Sequence, residues 1–257
     1  FMAALQGIKG ESLDLLLHSP GGSAEATEAI VTYLRTTFRD IRIIVPHAAM
    51  LAATLWACSA NRLVMGRHSF LGPIDPQFIL RTETGPRAVP AHAILEQFKQ
   101  AQDQCRDPTL LPSWLPMLRQ FGPDLLVQCR LAIGLSKDLA TEWLSKYMFA
   151  GRDDPTRPAE QLADALCAHE KFKSHGRFIS RDQAKTLGLV VDDLEADPKL
   201  QDAVLSVYHA ISHTFSGTPT VKLIENHLGK AMIRMVHALL LPAPSQQGKG
   251  PPPRPAP

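Results

Sequence analysis

The stretch Leu15-Leu16-Leu17-His18-Ser19-Pro20-Gly21-Gly22-Ser23 decides how this chain reads. Its leucine run predicts a strand buried on both faces of a parallel sheet, and the two glycines end that strand. Ser23 then serves as a helix cap, Glu25 and Glu28 favour the positive end of the helix, and Ala26, Ile30, Tyr33, Leu34 and Phe38 recur at helical spacing. The unit is strand, turn, helix.

The same unit follows at once. Ile41-Arg42-Ile43-Ile44-Val45 reads as a strand, Pro46-His47-Ala48 as a turn, and Met50 to Ser59 as an apolar, alanine-rich helix packed inside the domain. Arg62-Leu63-Val64-Met65 and Ser69-Phe70-Leu71 read as two short strands ending at the stiff turn Gly72-Pro73-Ile74-Asp75-Pro76. Strands alternating with helices predict an α/β architecture with right-handed crossovers. From about Val89 the pattern is helical, through Ala93, Leu95, Phe98 and Ala101, and Pro108, Pro112 and Pro116 punctuate the next stretch. Ser136 is expected to cap a helix carrying Leu139, Trp143, Leu144 and Tyr147. Ser180-Arg181-Asp182-Gln183 reads as a capping box whose helix stops at Gly188, and Thr218-Pro219 opens a last helix through Ile224, Leu228, Met232 and Met235.

A chain of 257 residues, 45% hydrophobic, can bury a substantial core. Residues 1–240 are expected to form the folded domain. Residues 241–257, rich in proline and glycine, are expected to be a disordered tail, with a polyproline II ligand as the rival reading. A net charge of +2 without long lysine or arginine runs speaks against a nucleic-acid partner. The longest apolar run, Met50 to Cys58, falls far short of the roughly 20 residues of a spanning helix. Membrane association is therefore expected only through a segment outside this chain, which begins at Phe1-Met2 and leaves an N-terminal anchor or signal open. Cys58, Cys105, Cys129 and Cys167 are widely separated and form no Cys-x-x-Cys pair. They predict small buried hydrophobes rather than a metal site or a disulfide framework, and a cytoplasmic or cytoplasm-facing setting.

Serine acyl transfer needs a hydroxyl on a sharp turn, a base within hydrogen-bond reach, and backbone N–H groups aimed at the developing oxyanion. A Pro-Gly-Gly turn can supply such donors, because glycine lets the backbone approach a substrate closely. Alone the turn is a weak sign. Four stretches in combination are more specific: Leu17 to Gly22; Ile44-Val45-Pro46-His47 with Ala49-Met50; Leu71-Gly72-Pro73-Ile74-Asp75-Pro76-Gln77; and Gly176-Arg177-Phe178-Ile179-Ser180 with Gln183-Ala184 and Leu187-Gly188-Leu189-Val190. By these the chain resembles the serine dehydrogenase proteinase family, a branch of the Clp/crotonase superfamily related to signal peptide peptidase A. Thr214 to His227 is similar to that family's C-terminal helix, and the resemblance covers most of residues 11–230.

The resemblance implies a spiral of β-β-α units with additional C-terminal helices. It implies hydrolysis of peptide or protein substrates through an acyl-enzyme, with neither metal nor organic cofactor. It also implies homo-oligomers, with subunit contacts expected on Thr218 to Leu240. Carried over, the oxyanion hole uses Gly21, Gly22 and the N–H of Ala52. The nucleophile position, directly after Ala-Met, falls on Leu51.

Leucine has no donor, acceptor or titratable group. Either a serine has been replaced by design, or the protein is a natural pseudopeptidase, or the nucleophile lies elsewhere. Among other serines, Ser23 reads as a helix cap, and Ser59 sits two helical turns from residue 51, about 12 Å by helical rise. Ser69 adjoins His68, but neighbours in a strand point to opposite faces. Clp-type peptidases use histidine and aspartate, and those of the signal peptide peptidase A type use lysine. The Clp histidine position falls near Ile74-Asp75 and the acidic one near Gly176, so that triad is absent. Lys99, the only lysine between Leu51 and Lys137, is the candidate base, with a solvated helix residue as its rival reading. Asp75 is expected to fix its turn, while His47 and His175 can border the cleft. The expected function is a peptidase scaffold silenced at residue 51. The alternatives are a non-catalytic peptide-binding or assembly protein using the groove at Gly21, Gly22 and Ala52, and an acyl-coenzyme A enzyme of the crotonase type, against which the Ala-Met and Pro-Ile-Asp-Pro-Gln stretches speak.

Overall fold

The computed structural model describes residues 1–82, 85–168, 172 and 176–236. The tail expected at 241–257, and His175, lie outside the described residues. The described residues divide into two compact units, one of residues Ile8–His209 and one of Phe1–Gly7 with 210–236.

The larger unit is built on a four-stranded parallel sheet in the order β1 (Ser12–Leu16), β2 (Asp40–Val45), β4 (Arg62–Met65), β9 (Val191–Asp193). The central strand β2 carries Ile43, Ile44 and Val45, each with at most 1% of its surface exposed, as β-branched side chains covered on both faces should be. Strand β1 departs from the expected double burial. It stands at the sheet edge, where Leu13 is buried but Ser12 and Asp14 face solvent. There Asp14 accepts from Arg42 Nε of β2 at 2.8 Å.

A second sheet has the order β3 (Ala48–Ala49), β5 (Phe70–Leu71), β8 (Ile179–Ser180), with β3 and β5 parallel and β8 antiparallel to β5. Successive strands thus alternate between the sheets: β2 leads to β3, β4 to β5, and β8 back to β9. Helix α2 (Ala24–Thr37) follows the Pro-Gly-Gly turn, and Ser23 Oγ accepts from Ala26 N at 3.1 Å, the expected cap. Helix α3 (Ala52–Ala57) is shorter than the predicted Met50–Ser59, and five of its six residues are buried. An antiparallel hairpin of β6 (Gln77–Thr82) and β7 (Gly85–Pro90), not anticipated from sequence, precedes α4 (Ala91–Gln104). Then come α5 (Leu111–Leu118), α6 (Leu125–Trp143), α7 (Thr156–Cys167) and α8 (Arg181–Leu187). Helix α8 carries the predicted capping box: Ser180 Oγ accepts from Gln183 N, Ser180 N donates to Gln183 Oε1, and Gly188 closes the helix in the left-handed region at φ +107°. Ser136 is not a cap. Helix α6 begins a full three turns earlier, at Leu125, so Ser136 is an interior residue, 3% exposed.

The next helix, α9 (Pro198–Gly217), was not anticipated. Where sequence periodicity predicts a last helix from Thr218, the smaller unit holds an antiparallel hairpin, β10 (Thr220–Glu225) with β11 (Ala231–Met235), alongside α1 (Met2–Leu5). The reason is local turn chemistry. Asn226 Oδ1 accepts from Leu228 N and Lys230 N, Asn226 N donates to Lys230 O, and Gly229 adopts φ +76°. This Asx-type turn competes with helix. Among the described residues no helix is long and apolar enough to cross a membrane.

Candidate active site

The strand leaving β1 is fastened to the second sheet just where the glycines begin. Ser19 N donates to Ala48 O, Met50 N donates to Ser19 O, and Ser19 bridges to Ala49. The Pro20-Gly21-Gly22 turn is thereby held against the segment entering α3. Gly21 has φ +123°, and a Cβ there would lie 2.9 Å from Leu51 Cβ, so glycine is required twice over.

Leu51, at the N-cap of α3, has φ +53° and ψ −117°, the only positive φ of a non-glycine residue among the described residues. A branched side chain pays about 1–3 kcal/mol for such a conformation, and it persists only where the surroundings impose it. Thr54, fully buried, does so: its Oγ1 lies 2.8 Å from Ala49 O and 2.9 Å from Gly72 O, and it accepts from Gly72 N at 3.1 Å. Gly72 in turn leaves room for Met50, whose Sδ lies 2.8 Å from where a Cβ would be. A strained residue between a strand and a helix is the backbone form of a nucleophile elbow. Here it carries leucine.

Of the residues expected at the oxyanion hole, Gly21 N–H already donates to Ser19 Oγ at 3.1 Å. The N–H groups of Gly22 and Ala52 make no hydrogen bond to the described residues. Gly22, Leu51 and Ala52 line one cavity of about 390 Å³, shared with Asp75, Phe78 of β6 and Ser136 of α6. Lys99 is not brought there: it is exposed on α4 and does not line the cavity. Nor do Ser59 or Ser69. Ser59 Oγ donates to Trp56 O, and Ser69 Oγ donates to Val45 O while accepting from Gly66 N. Ser23 lines the cavity rim with its Oγ engaged as the α2 cap. His47 stacks on Tyr208 and meets Phe70 edge-on, away from the cavity lining.

Two residues escaped the sequence reading. His92 Nδ1 donates to Asp75 Oδ1 at 3.0 Å, so Asp75, 5% exposed, is held by α4 as well as by its turn. Nothing in the spacing signals the pair, because the β6–β7 hairpin folds out between its members. Ser136 is the other; its period marked a helix, but not which face it presents. The four cysteines are free, and burial pushes the thiols of Cys58 and Cys167 well up, which makes them poor nucleophiles. No group of three or more metal-ligating side chains converges among the described residues.

Residues 3–114 match the family of ClpP-like SDH-type serine proteinases. The matched segment of the chain belongs to that family. The matched segment holds the Pro-Gly-Gly turn, the strained elbow and the Asp75–His92 pair, whereas Ser136 lies beyond it. The chain is also similar to two uncharacterized proteins of Methanocaldococcus jannaschii. MJ0137 is 35% identical over 186 residues, covering 72% of this chain and 54% of the relative. MJ1495 is 33% identical over 99 residues, covering 38% of this chain and 31% of the relative. The chain therefore spans about half of one curated relative and about a third of the other.

Proposed function

We propose that this chain is a peptidase scaffold silenced at residue 51, which holds an extended peptide over Gly22 and Ala52 without cleaving it. The observation that carries this reading is Leu51 itself: the strained elbow is kept, and the side chain on it has no nucleophilic atom. The amides of Gly22 and Ala52, without partners among the described residues and lining the cavity, support a preserved oxyanion pocket. In the active form a serine hydroxyl at this position, giving its proton to a general base, attacks the scissile carbonyl, the oxyanion rests on those amides, and cleavage of the C–N bond releases the amine with that proton and leaves an acyl-enzyme. No cofactor enters the scheme.

In the same reading the alternation of strands between two sheets is the family's spiral of β-β-α units. Copies of the chain assemble, and the contact surface falls on the β10–β11 hairpin, where Val221, Ile233 and Met235 are each about half exposed. A cytoplasm-facing location accords with the four free thiols.

A fluorophosphonate probe tests the central claim. The chain as it stands takes no label, and Leu51→Ser does, since loss of a triad nucleophile lowers turnover by about 10⁶-fold. Labelling of the unaltered chain would falsify the silence at residue 51. Failure of Leu51→Ser to take label, with peptide binding intact, would leave a binding protein without a recoverable enzyme.

A further inference from the structure

The cavity over Leu51 has a chemical bias that the family's hydrolytic reading does not require. Among the described residues its ionisable lining consists of Glu25 at the rim and Asp75 within, with no lysine, arginine or histidine. Both of these ionisable groups are acids, so at their end of the cavity a cation is favoured over an anion. Asp75 is held by His92 at Oδ1, and the charge of its carboxylate acts on a cationic ligand over and above the partners it already has.

Ser136 is an independent sign that a polar ligand belongs here. It is 3% exposed, lines the cavity, and its hydroxyl makes no hydrogen bond to the described residues. A serine inside a helix usually turns its hydroxyl back to the carbonyl four residues earlier. Thr27 does this to Ser23 O and Thr186 to Asp182 O in the same molecule. Ser136 does not, and its hydroxyl is left for what enters the cavity. The walls between these polar groups are Leu55, Ile74 and Leu135, suited to the aliphatic stem of a long side chain.

We propose that this cavity takes the side chain of a lysine or arginine in the bound peptide, with Asp75 as its counter-charge and Ser136 as a hydrogen-bond acceptor. The inference rests on the reading that the cleft receives a peptide. An apolar side chain would bury Asp75 and Ser136 against hydrocarbon, and an acidic one would meet two carboxylates. Both are selected against.

The test is fluorescence anisotropy of the full chain with three labelled peptides that differ only in a central Lys, Leu or Glu. The lysine peptide is expected to bind about tenfold more tightly than the leucine peptide, with the glutamate peptide weakest, and the lysine advantage should shrink as salt is raised. Asp75→Asn is expected to bring the lysine and leucine affinities within about threefold of each other. Ser136→Ala, a substitution that helices accept, should reduce the lysine advantage in the same direction should Asp75→Asn fail to fold. Equal binding of the leucine and lysine peptides by the unaltered chain overturns the cation preference and leaves the peptide reading standing. No binding of any of the three overturns both. A small free amine that binds as tightly as the lysine peptide overturns the assignment to a peptide side chain.

Discussion

At residue 51 the strain belongs to the backbone and not to the side chain. Thr54, Gly72 and the fastening of Ser19 to Ala48 set the dihedrals, whatever residue stands there. Glycine ordinarily stabilises a chain less than alanine by about 0.5–1 kcal/mol. At this position the order should invert: Leu51→Gly and Leu51→Ala lose similar packing, but only glycine is relieved of the strain. Chemical denaturation is expected to find Leu51→Gly more stable than Leu51→Ala by about 1–2 kcal/mol. The usual order would mean that the elbow relaxes when the leucine is removed. The position of the elbow was legible in the sequence, from the glycines and the Ala-Met junction. Its dihedrals were not, because they depend on Thr54 meeting a carbonyl 18 residues away. Asp75 was likewise visible as a turn residue, while its partner His92 came into reach only once a hairpin had formed between them.

At the scale of elements, local signals survived where chemistry was local. Ser23, the Ser180–Gln183 box and Gly188 all terminate helices as their side chains and backbone freedom dictate. Ser180→Ala removes the hydroxyl that accepts from Gln183 N and should lower stability by about 1 kcal/mol, with urea unfolding as the measurement. No change would mean that β8 and β9 hold α8 without its cap. Periodicity failed where it competed with turn chemistry. Ile224, Leu228, Met232 and Met235 share a helical face on paper, yet Asn226 and Gly229 between them turn the chain back on itself. A leucine run likewise overstated the burial of β1, since it carries no information about which strand ends at an edge.

For the larger unit as a whole, one histidine couples stability to pH. His18 Nδ1 lies 3.1 Å from Ala48 O and 3.3 Å from Ala48 N, its ring meets His47 and Tyr208 edge-on, and it is held below its ordinary value of 6.5 by burial, with the neighbouring His47 adding to the effect. The unfolded chain then binds a proton that the folded one resists. The stabilisation is full above pH 6.5 and is lost as pH falls through that value toward the lower folded one. Melting temperature should fall between pH 8 and pH 5, and His18→Gln should fall less steeply. An unchanged slope in that variant would remove His18 from the account.

The order of strands in the main sheet also has a consequence in time. Strand β4 ends at Met65 and its neighbour β9 begins at Val191, 126 residues later by subtraction. At about 5–20 residues per second of synthesis, the outer edge of β4 stays open for about 6–25 s before its partner emerges. During that interval the nascent chain presents an unpaired parallel edge of Leu63, Val64 and Met65, and its protection from aggregation falls to whatever meets the chain as it leaves the ribosome.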